Sequence, residues 1–267
     1  MLRTVLTLIL FSLCINIYSQ EINQTDSQGR KQGFWQKRSA TGKLVYEGTF
    51  KDDRPVGEMK RYHPGGVLKA SMIYTTGSDT SSATLYDEKG KLAAKGKYIE
   101  QKRVGEWSYY ADGRMVSSEV YENDLKSGVA KTYYQTGELL EQSNWKNNFQ
   151  DGLYTAYEKS GKKYLECMYQ QGKREGWSVS FYPSGEMETE VFYKNNLPHG
   201  DCKHYDEQGK SDYTLKYENG KLTNPEVLDS IQNIEFNLND KNKTQIADPE
   251  KFIQNPEQYL IKAREQK

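Results

Sequence analysis

The stretch that decides the fold is GVAKTYYQTGELLEQSNWKNNFQD, residues 128–151. It opens on a glycine, has a second glycine at Gly137 and an aromatic residue at Trp145, and a new glycine follows it at Gly152. Short alternating segments flank Gly137, a pattern typical of two strands joined by a tight turn. We number positions within such a unit from its opening glycine, which is position 0.

The chain contains eight copies of this unit, so an internal repeat of 24 residues is the dominant pattern in the sequence. The fourth unit is one residue shorter, because its hairpin turn is shorter. Ser81 replaces the opening glycine in the third unit, and we expect strand pairing to be least regular there. The opening residues are Gly33, Gly57, Ser81, Gly105, Gly128, Gly152, Gly176 and Gly200.

Aromatic residues recur at two positions of the unit. Position 5 carries Tyr62, Tyr86, Tyr110, Tyr133, Tyr157, Phe181 and Tyr205, and position 17 carries Phe50, Tyr74, Tyr98, Tyr121, Trp145, Tyr169, Tyr193 and Tyr217. Leucine or methionine is common at position 11, after the turn. Because positions 5, 11 and 17 are all odd and strand side chains alternate between faces, we expect one structural stripe that packs hairpin against hairpin.

The link between units is also patterned. Asp53, Gly77, Asp124, Asn148, Gly172, Asn196 and Gly220 follow the second aromatic residue by three places. These residue types tolerate the left-handed backbone of a tight return, and no link is long enough for a crossover helix. The sequence therefore predicts an all-β fold, an elongated antiparallel meander of about sixteen strands in eight hairpins, with a short α-helical C-terminal tail.

Segments such as GEWSYYADG (105–113) and GVAKTYYQTGEL (128–139) resemble MORN repeats. They are more closely similar to the MORN-variant repeats of bacterial antitoxin-like proteins. The similarity spans roughly residues 33–222. It implies an architecture of β-hairpins and a role in protein contacts, scaffolding or association with lipid surfaces.

The segments outside the repeats suggest an exported protein. Arg3 and the apolar run from Val5 to Ile17 are typical of a signal peptide cleaved between Ser19 and Gln20. We therefore divide the chain into a signal peptide (1–19), a polar lead (20–32), the repeat domain (33–223) and a helical tail (224–267). The mature protein is expected in the periplasm, at the outer surface or secreted, and not as an integral membrane protein.

Helix-start signatures appear in the tail, as Asn224-Pro225-Glu226, Asp248-Pro249-Glu250 and Asn255-Pro256-Glu257. We expect one short amphipathic helix near 225–234, a polar connector near 237–247, and one or two helices from 249 onward. The first helix could cover the edge of the final strand, because an open edge invites further strand addition.

The sequence has few residues of the kinds that carry out catalysis or bind metal ions. The chain has 3 histidines, and Lys plus Arg equal Asp plus Glu at 37 each, which disfavours nucleic-acid binding. Cys167 and Cys202 fall three strands apart in the predicted meander, beyond the reach of a disulfide, so we expect free thiols. We predict no enzyme, no metal site and no cofactor.

Some aromatic residues fall outside the repeated positions and are the better binding candidates. They are Trp35, Trp107, Tyr109, Tyr134, Tyr154 and Tyr182. Such residues can dock a partner or stack on sugars.

Many repeats without concentrated chemistry favour a scaffold for protein–protein interaction at the cell envelope. Two alternatives stay open at this point. One is binding of an envelope carbohydrate or a lipid surface, and the other is an antitoxin-like or immunity role, which the repeat resemblance implies.

Overall fold

The structure, a computed structural model, describes residues 21–243. The predicted signal peptide and the helices expected from residue 249 onward lie outside the described residues. The strands are β1 Gln24–Thr25, β2 Lys31–Arg38, β3 Leu44–Lys51, β4 Arg54–Tyr62, β5 Leu68–Tyr74, β6 Thr80–Tyr86, β7 Leu92–Ile99, β8 Lys102–Ala111, β9 Arg114–Glu122, β10 Leu125–Lys126, β11 Gly128–Tyr133, β12 Leu139–Lys146, β13 Phe149–Tyr157, β14 Lys163–Gln170, β15 Lys173–Phe181, β16 Met187–Lys194, β17 Leu197–Tyr205, β18 Ser211–Glu218 and β19 Lys221–Leu222, and the helix is α1 Pro225–Lys243.

The described residues form two compact units of structure, residues 21–104 with 110–113 and residues 105–109 with 114–243. In the first, β1 to β7 pair in sequence order. In the second, β9 pairs with both β10 and β11, and β11 to β19 pair in sequence order; all of these pairs are antiparallel. Sixteen strands have six or more residues, and β1, β10 and β19 have two. The predicted all-β meander of hairpin repeats is confirmed.

Seven hairpins of the described residues share one register, namely β2–β3, β4–β5, β6–β7, β11–β12, β13–β14, β15–β16 and β17–β18. In the sixth repeat, Gly152 pairs with Tyr169, Tyr154 with Cys167 and Ala156 with Leu165, which are positions 0 with 17, 2 with 15 and 4 with 13. The next pair is Tyr157 with Lys163, so a bulge of one residue interrupts the ladder near the turn.

This bulge corrects the expectation that positions 5, 11 and 17 share one face. Residues paired across a ladder share a face, so position 17 lies with positions 2 and 4, and position 5 lies on the opposite face. Hydrogen bonds agree, because the Tyr62 hydroxyl donates to Glu47, which is paired with Lys60. The two aromatic rows are therefore on opposite faces, because the bulge residue changes the parity.

We call the side that carries positions 2, 4, 13, 15 and 17 the packed face, and the side that carries positions 1, 3, 5, 14 and 16 the open face. All buried residues among those described project from the packed face, except Ser118 and Thr155. Those of the packed face are Gly48, Phe50, Met59, Ala70, Ser81, Ala83, Ala94, Trp107, Tyr121, Ala130, Ser143, Ala156, Cys167, Ser178, Cys202 and Leu215. In each compact unit, the core is thus a row along the middle of its packed face.

The opening glycines create a second bulge, between one hairpin and the next. Gly57 and Gly152, for example, have φ of 68° and 110°, and the ladders into β4 and β13 shift register beside them. Ser81 is not one of the described residues that have a positive φ, and β5 pairs with β6 without a register shift. Pairing in the third repeat is therefore regular, contrary to expectation, because a serine at this position leaves the ladder straight.

The returns between hairpins have the predicted left-handed backbone, with φ of 65° at Asp53, 68° at Asn148 and 68° at Asn196. Their side chains also anchor the preceding return. The Asn148 Oδ1 accepts a hydrogen bond of 2.7 Å from the Lys126 backbone N–H, and the Asn148 N–H donates to the Lys126 carbonyl at 2.9 Å. Successive returns are thus linked to one another along the sheet edge.

The tail departs from the sequence prediction. The helix begins at Pro225 as expected, but it continues to Lys243, through the first part of the predicted polar connector. The edge of β18 is covered by β19 and by Asn224, whose side chain accepts from the Lys216 N–H at 2.6 Å and donates to the Thr214 carbonyl at 2.9 Å. An asparagine side chain, rather than the helix itself, covers this stretch of the edge.

Substitution of Asn148 separates the two roles of the return residue. Asn148→Gly removes the side-chain hydrogen bond and should lower the free energy of unfolding by about 0.5–1.5 kcal/mol. Asn148→Ala also places an ordinary side chain in the left-handed region, which should cost roughly 1–2 kcal/mol more. Urea denaturation followed by circular dichroism measures both variants. Equal losses for glycine and alanine would show that the backbone conformation contributes nothing.

Candidate functional site

The binding candidates chosen from the sequence lie on a different surface from the one expected. Trp35, Tyr109 and Tyr154 occupy positions 2 or 4 and therefore share the packed face with the position 17 aromatics. By sequence they are distinct from that row, because they fall outside positions 5 and 17. The structure places them within it.

Trp107 is buried, with 1% of its surface exposed, so it is a core residue and not a binding residue. Its ring lies 6.4 Å from that of Tyr109, whose hydroxyl donates to the Tyr121 hydroxyl at 3.2 Å. Tyr121 in turn donates to the Glu119 carboxylate. Burial, and then the hydrogen bond to Glu119, raise the pKa of Tyr121 well above its usual range.

Glu119 belongs to a closed polar cluster. It forms an ion pair of 2.9 Å with Lys126, and the Lys126 ammonium lies 3.9 Å from the centre of the Trp145 ring. Both charged side chains are less than a quarter exposed. The cluster stabilises the packed face by a cation–π contact and a shielded ion pair.

Trp35 and Tyr154 also make their contacts within the sheet. The Trp35 Nε1 donates to the Gln24 carbonyl at 2.9 Å, and the Lys31 ammonium lies 5.0 Å from the Trp35 ring centre. The Tyr154 hydroxyl donates to Glu141 at 2.8 Å, and burial followed by this bond raises the pKa of Tyr154.

Tyr134 and Tyr182 brace one hairpin turn against the next. Their hydroxyls donate to the backbone carbonyls of Tyr157 and Tyr205, each at 2.8 Å. The His63 ring makes the same contact with the Tyr86 carbonyl at 3.0 Å. The side chain at position 6 thus links a turn to the following repeat.

An exposed apolar strip on the open face was missed by the sequence analysis. Leu153 is paired with Met168, and Trp177 with Phe192, on four consecutive strands, β13 to β16. Leu153, Met168 and Trp177 are 41%, 42% and 48% exposed, and the rings of Trp177 and Phe192 meet edge to face at 5.3 Å. We call these four residues the open-face strip. A single layer of sheet provides no core to cover them.

Carboxylates flank the strip on both sides. Each strip residue is preceded two places earlier by an acid on the same strand. The four pairs are Asp151 and Leu153, Glu166 and Met168, Glu175 and Trp177, and Glu190 and Phe192. Because adjacent strands run in opposite directions, the acids alternate between the two flanks. This spacing is visible in the sequence and could have identified the strip.

The four acids have different local partners. Glu166 pairs with Lys163 at 2.7 Å, and Glu190 pairs with Lys203 at 3.1 Å. Asp151 and Glu175 accept hydrogen bonds from the backbone N–H groups of Gln171 and Asn195, at 3.2 and 2.7 Å. None of these contacts brings two carboxylates together as an acid–base pair.

Cys167 and Cys202 are free thiols, as predicted, and both are buried. Cys167, Ser178, Val191 and Cys202 are paired in succession across four strands, so the thiols lie roughly 14 Å apart, three strand spacings. Burial raises the pKa of both thiols and lowers the pKa of His204, whose Nε2 is 3.5 Å from the Cys202 sulfur. The described residues contain no cluster suited to a metal ion.

Comparison with known proteins identifies the repeat. A family model for the MORN repeat variant matches residues 55–75, 126–147 and 174–195. No curated protein matches the chain. Within the described residues, no helix combines the length and apolar character needed to cross a bilayer.

Similar solved structures share only a small region. A chain of the GtfA/B complex is 12% identical over 33% of this chain and 18% of its own length, with a TM-score of 0.25. TarM is 11% identical over 37% of this chain and 20% of its own length, with a TM-score of 0.27. The matched region therefore spans about a fifth of each of those chains.

The assignment of the two faces predicts losses of different size for two tryptophan substitutions. Trp107→Ala should lower the free energy of unfolding by about 3–5 kcal/mol, because it leaves a cavity in the core of the packed face. Trp177→Ala should cost roughly 1 kcal/mol or less, because the ring is half exposed. Chemical denaturation of both variants measures the difference. Similar losses would contradict the assignment of the faces.

Proposed function

Because the chain is a MORN-repeat protein, we propose that it is an exported, non-enzymatic scaffold that holds a partner protein on its open-face strip. The observation that carries this proposal is the strip itself, four apolar residues on the neighbouring strands β13 to β16. Leu153, Met168 and Trp177 are exposed, and Phe192 is half-buried against the Trp177 ring. An exposed apolar patch of this kind, bordered by charged residues, is typical of interaction sites.

The side chains of the strip favour a protein over a carbohydrate. Sugars stack on flat aromatic rings, but Leu153 and Met168 are aliphatic and Trp177 meets Phe192 edge to face. A central tryptophan with neighbouring apolar residues and a charged border resembles the energetic centre of a protein interface.

Export is part of the same proposal and rests on residues 1–19 of the sequence. A basic residue, a short apolar run and the small residue Ser19 would direct the chain across the membrane. The partner would then be an envelope or extracellular protein.

A lipid surface is the second candidate, supported by the return turns. Phe149 and Leu197 project there with 57% and 47% of their surfaces exposed, next to exposed Lys146 and Lys194. Apolar tips with neighbouring cations suit the interface of an anionic membrane. This surface lies along the edge of the sheet and can be tested apart from the strip.

Affinity capture from an envelope extract tests the proposal. The bait is the full chain, compared with a Leu153→Asp, Met168→Asp variant and with Ile73→Asp as the matched control. Ile73 is 59% exposed and occupies the position of Met168 in the second repeat. We expect a protein that the wild type and the control capture and the strip variant does not.

Thermal melting of each bait verifies that the variants are folded. Capture of the same proteins by all three baits would contradict the role of the strip. Binding to anionic vesicles that is lost in Phe149→Ser, Leu197→Ser but not in the strip variant would support the lipid candidate instead.

A further inference from the structure

We propose that the partner binds through a basic amphipathic α-helix that lies across the strands, over the open-face strip. This inference rests on the proposed function and adds the chemistry of the partner. It follows from the spacing of the strip, from the lack of free backbone groups on a sheet face, and from the charges on the two flanks.

The spacing of the strip matches a helix. Neighbouring strands are about 4.8 Å apart, which is the interval between Leu153 and Met168 and between Trp177 and Phe192. Met168 and Trp177 lie on neighbouring strands at the register shift between β14 and β15. On a helix, residues three or four apart along one face rise on average by about 5.3 Å. Leu153 and Trp177 are two strands apart, about 9.6 Å, which compares with about 10.5 Å for one heptad. The difference between the strand spacing and the helix rise is small enough for one helix to contact all four strip residues.

An extended segment fits less well. Side chains on one side of a strand repeat at about 6.7 Å, which does not match the interval of the strip. The backbone groups in the middle of the sheet are already paired with neighbouring strands, so an extended partner would bury its own N–H and C=O groups without partners. A helix satisfies these groups internally.

The charges select a basic helix. Asp151 and Glu175 lie on one flank, and Glu166 and Glu190 lie on the other. Lys163 and Lys203 offset the second pair, whereas Asp151 and Glu175 make no ion pair within the described residues. A helix with lysine or arginine beside its apolar stripe would meet a carboxylate on each strand it crosses.

Three synthetic peptides of about 21 residues, roughly 30 Å long as helices, test the proposal. The first has leucine on one face and lysine on both borders, the second has glutamate in place of lysine, and the third is the first with a central proline. Isothermal titration calorimetry measures their binding to the full chain. We expect the basic peptide to bind at least about tenfold more tightly than the other two.

Variants of the chain locate the site. Leu153→Asp, Met168→Asp should abolish binding of the basic peptide, and Ile73→Asp should leave it unchanged. Asp151→Asn, Glu175→Gln should weaken it several-fold and reduce its dependence on salt. These two amides keep the oxygen acceptors for Gln171 and Asn195, so the returns remain anchored.

The outcomes separate this inference from the proposed function. Equal binding of the basic and acidic peptides, or of the proline peptide, would overturn the basic helix. If no peptide binds but the strip variant still loses a captured protein, the helix is wrong and the scaffold function stands. If capture does not depend on the strip, both are wrong.

Discussion

A single layer of antiparallel sheet can bury side chains only along the middle of a face, and the rest of this structure depends on that constraint. In the second compact unit, positions 2 and 15 pair across every hairpin and junction from β11 to β18, so one row continues from strand to strand. The row contains mostly small residues, such as Ala130, Ser143 and Ser178, with a few larger ones such as Trp107. The aromatic residues at position 17, with the lysine and arginine side chains that lie over their rings, cover one side of this row.

The lean core explains why so many polar contacts connect one repeat with the next. Asn148 and Asn196 bind the preceding return, Tyr134 and Tyr182 bind the following turn, and Asn224 closes part of the edge of β18. These bonds are local and repeated, so each hairpin is held mainly by its neighbours. The open face is not needed for the core, and it is therefore available for an apolar strip.

The sequence predicts the repeat, the hairpins and the returns, because glycine, asparagine and aspartate mark left-handed turns at fixed spacing. It failed where the backbone is irregular. The bulge near each turn places Tyr157 and Tyr169 on opposite faces, and a simple odd–even count cannot detect it. The same error made the buried Trp107 a binding candidate and concealed the strip.

Two further differences have local causes. Ser81 lacks the conformational freedom of glycine, so its junction omits the bulge and pairs more regularly than expected. Helix α1 passes through residues 237–243 although they are polar, since no proline or glycine interrupts it there. In both places the backbone preference of a few residues outweighed the pattern around them.

Hydroxyl-radical footprinting of the full chain, read by mass spectrometry, tests the assignment of the two faces most directly. The structure predicts rapid oxidation of Trp177 and Met168, which are 48% and 42% exposed, and strong protection of Trp107, which is 1% exposed. Unfolding in urea should bring the two tryptophans to similar rates. Oxidation of Trp107 as fast as that of Trp177 in the folded protein would contradict the account.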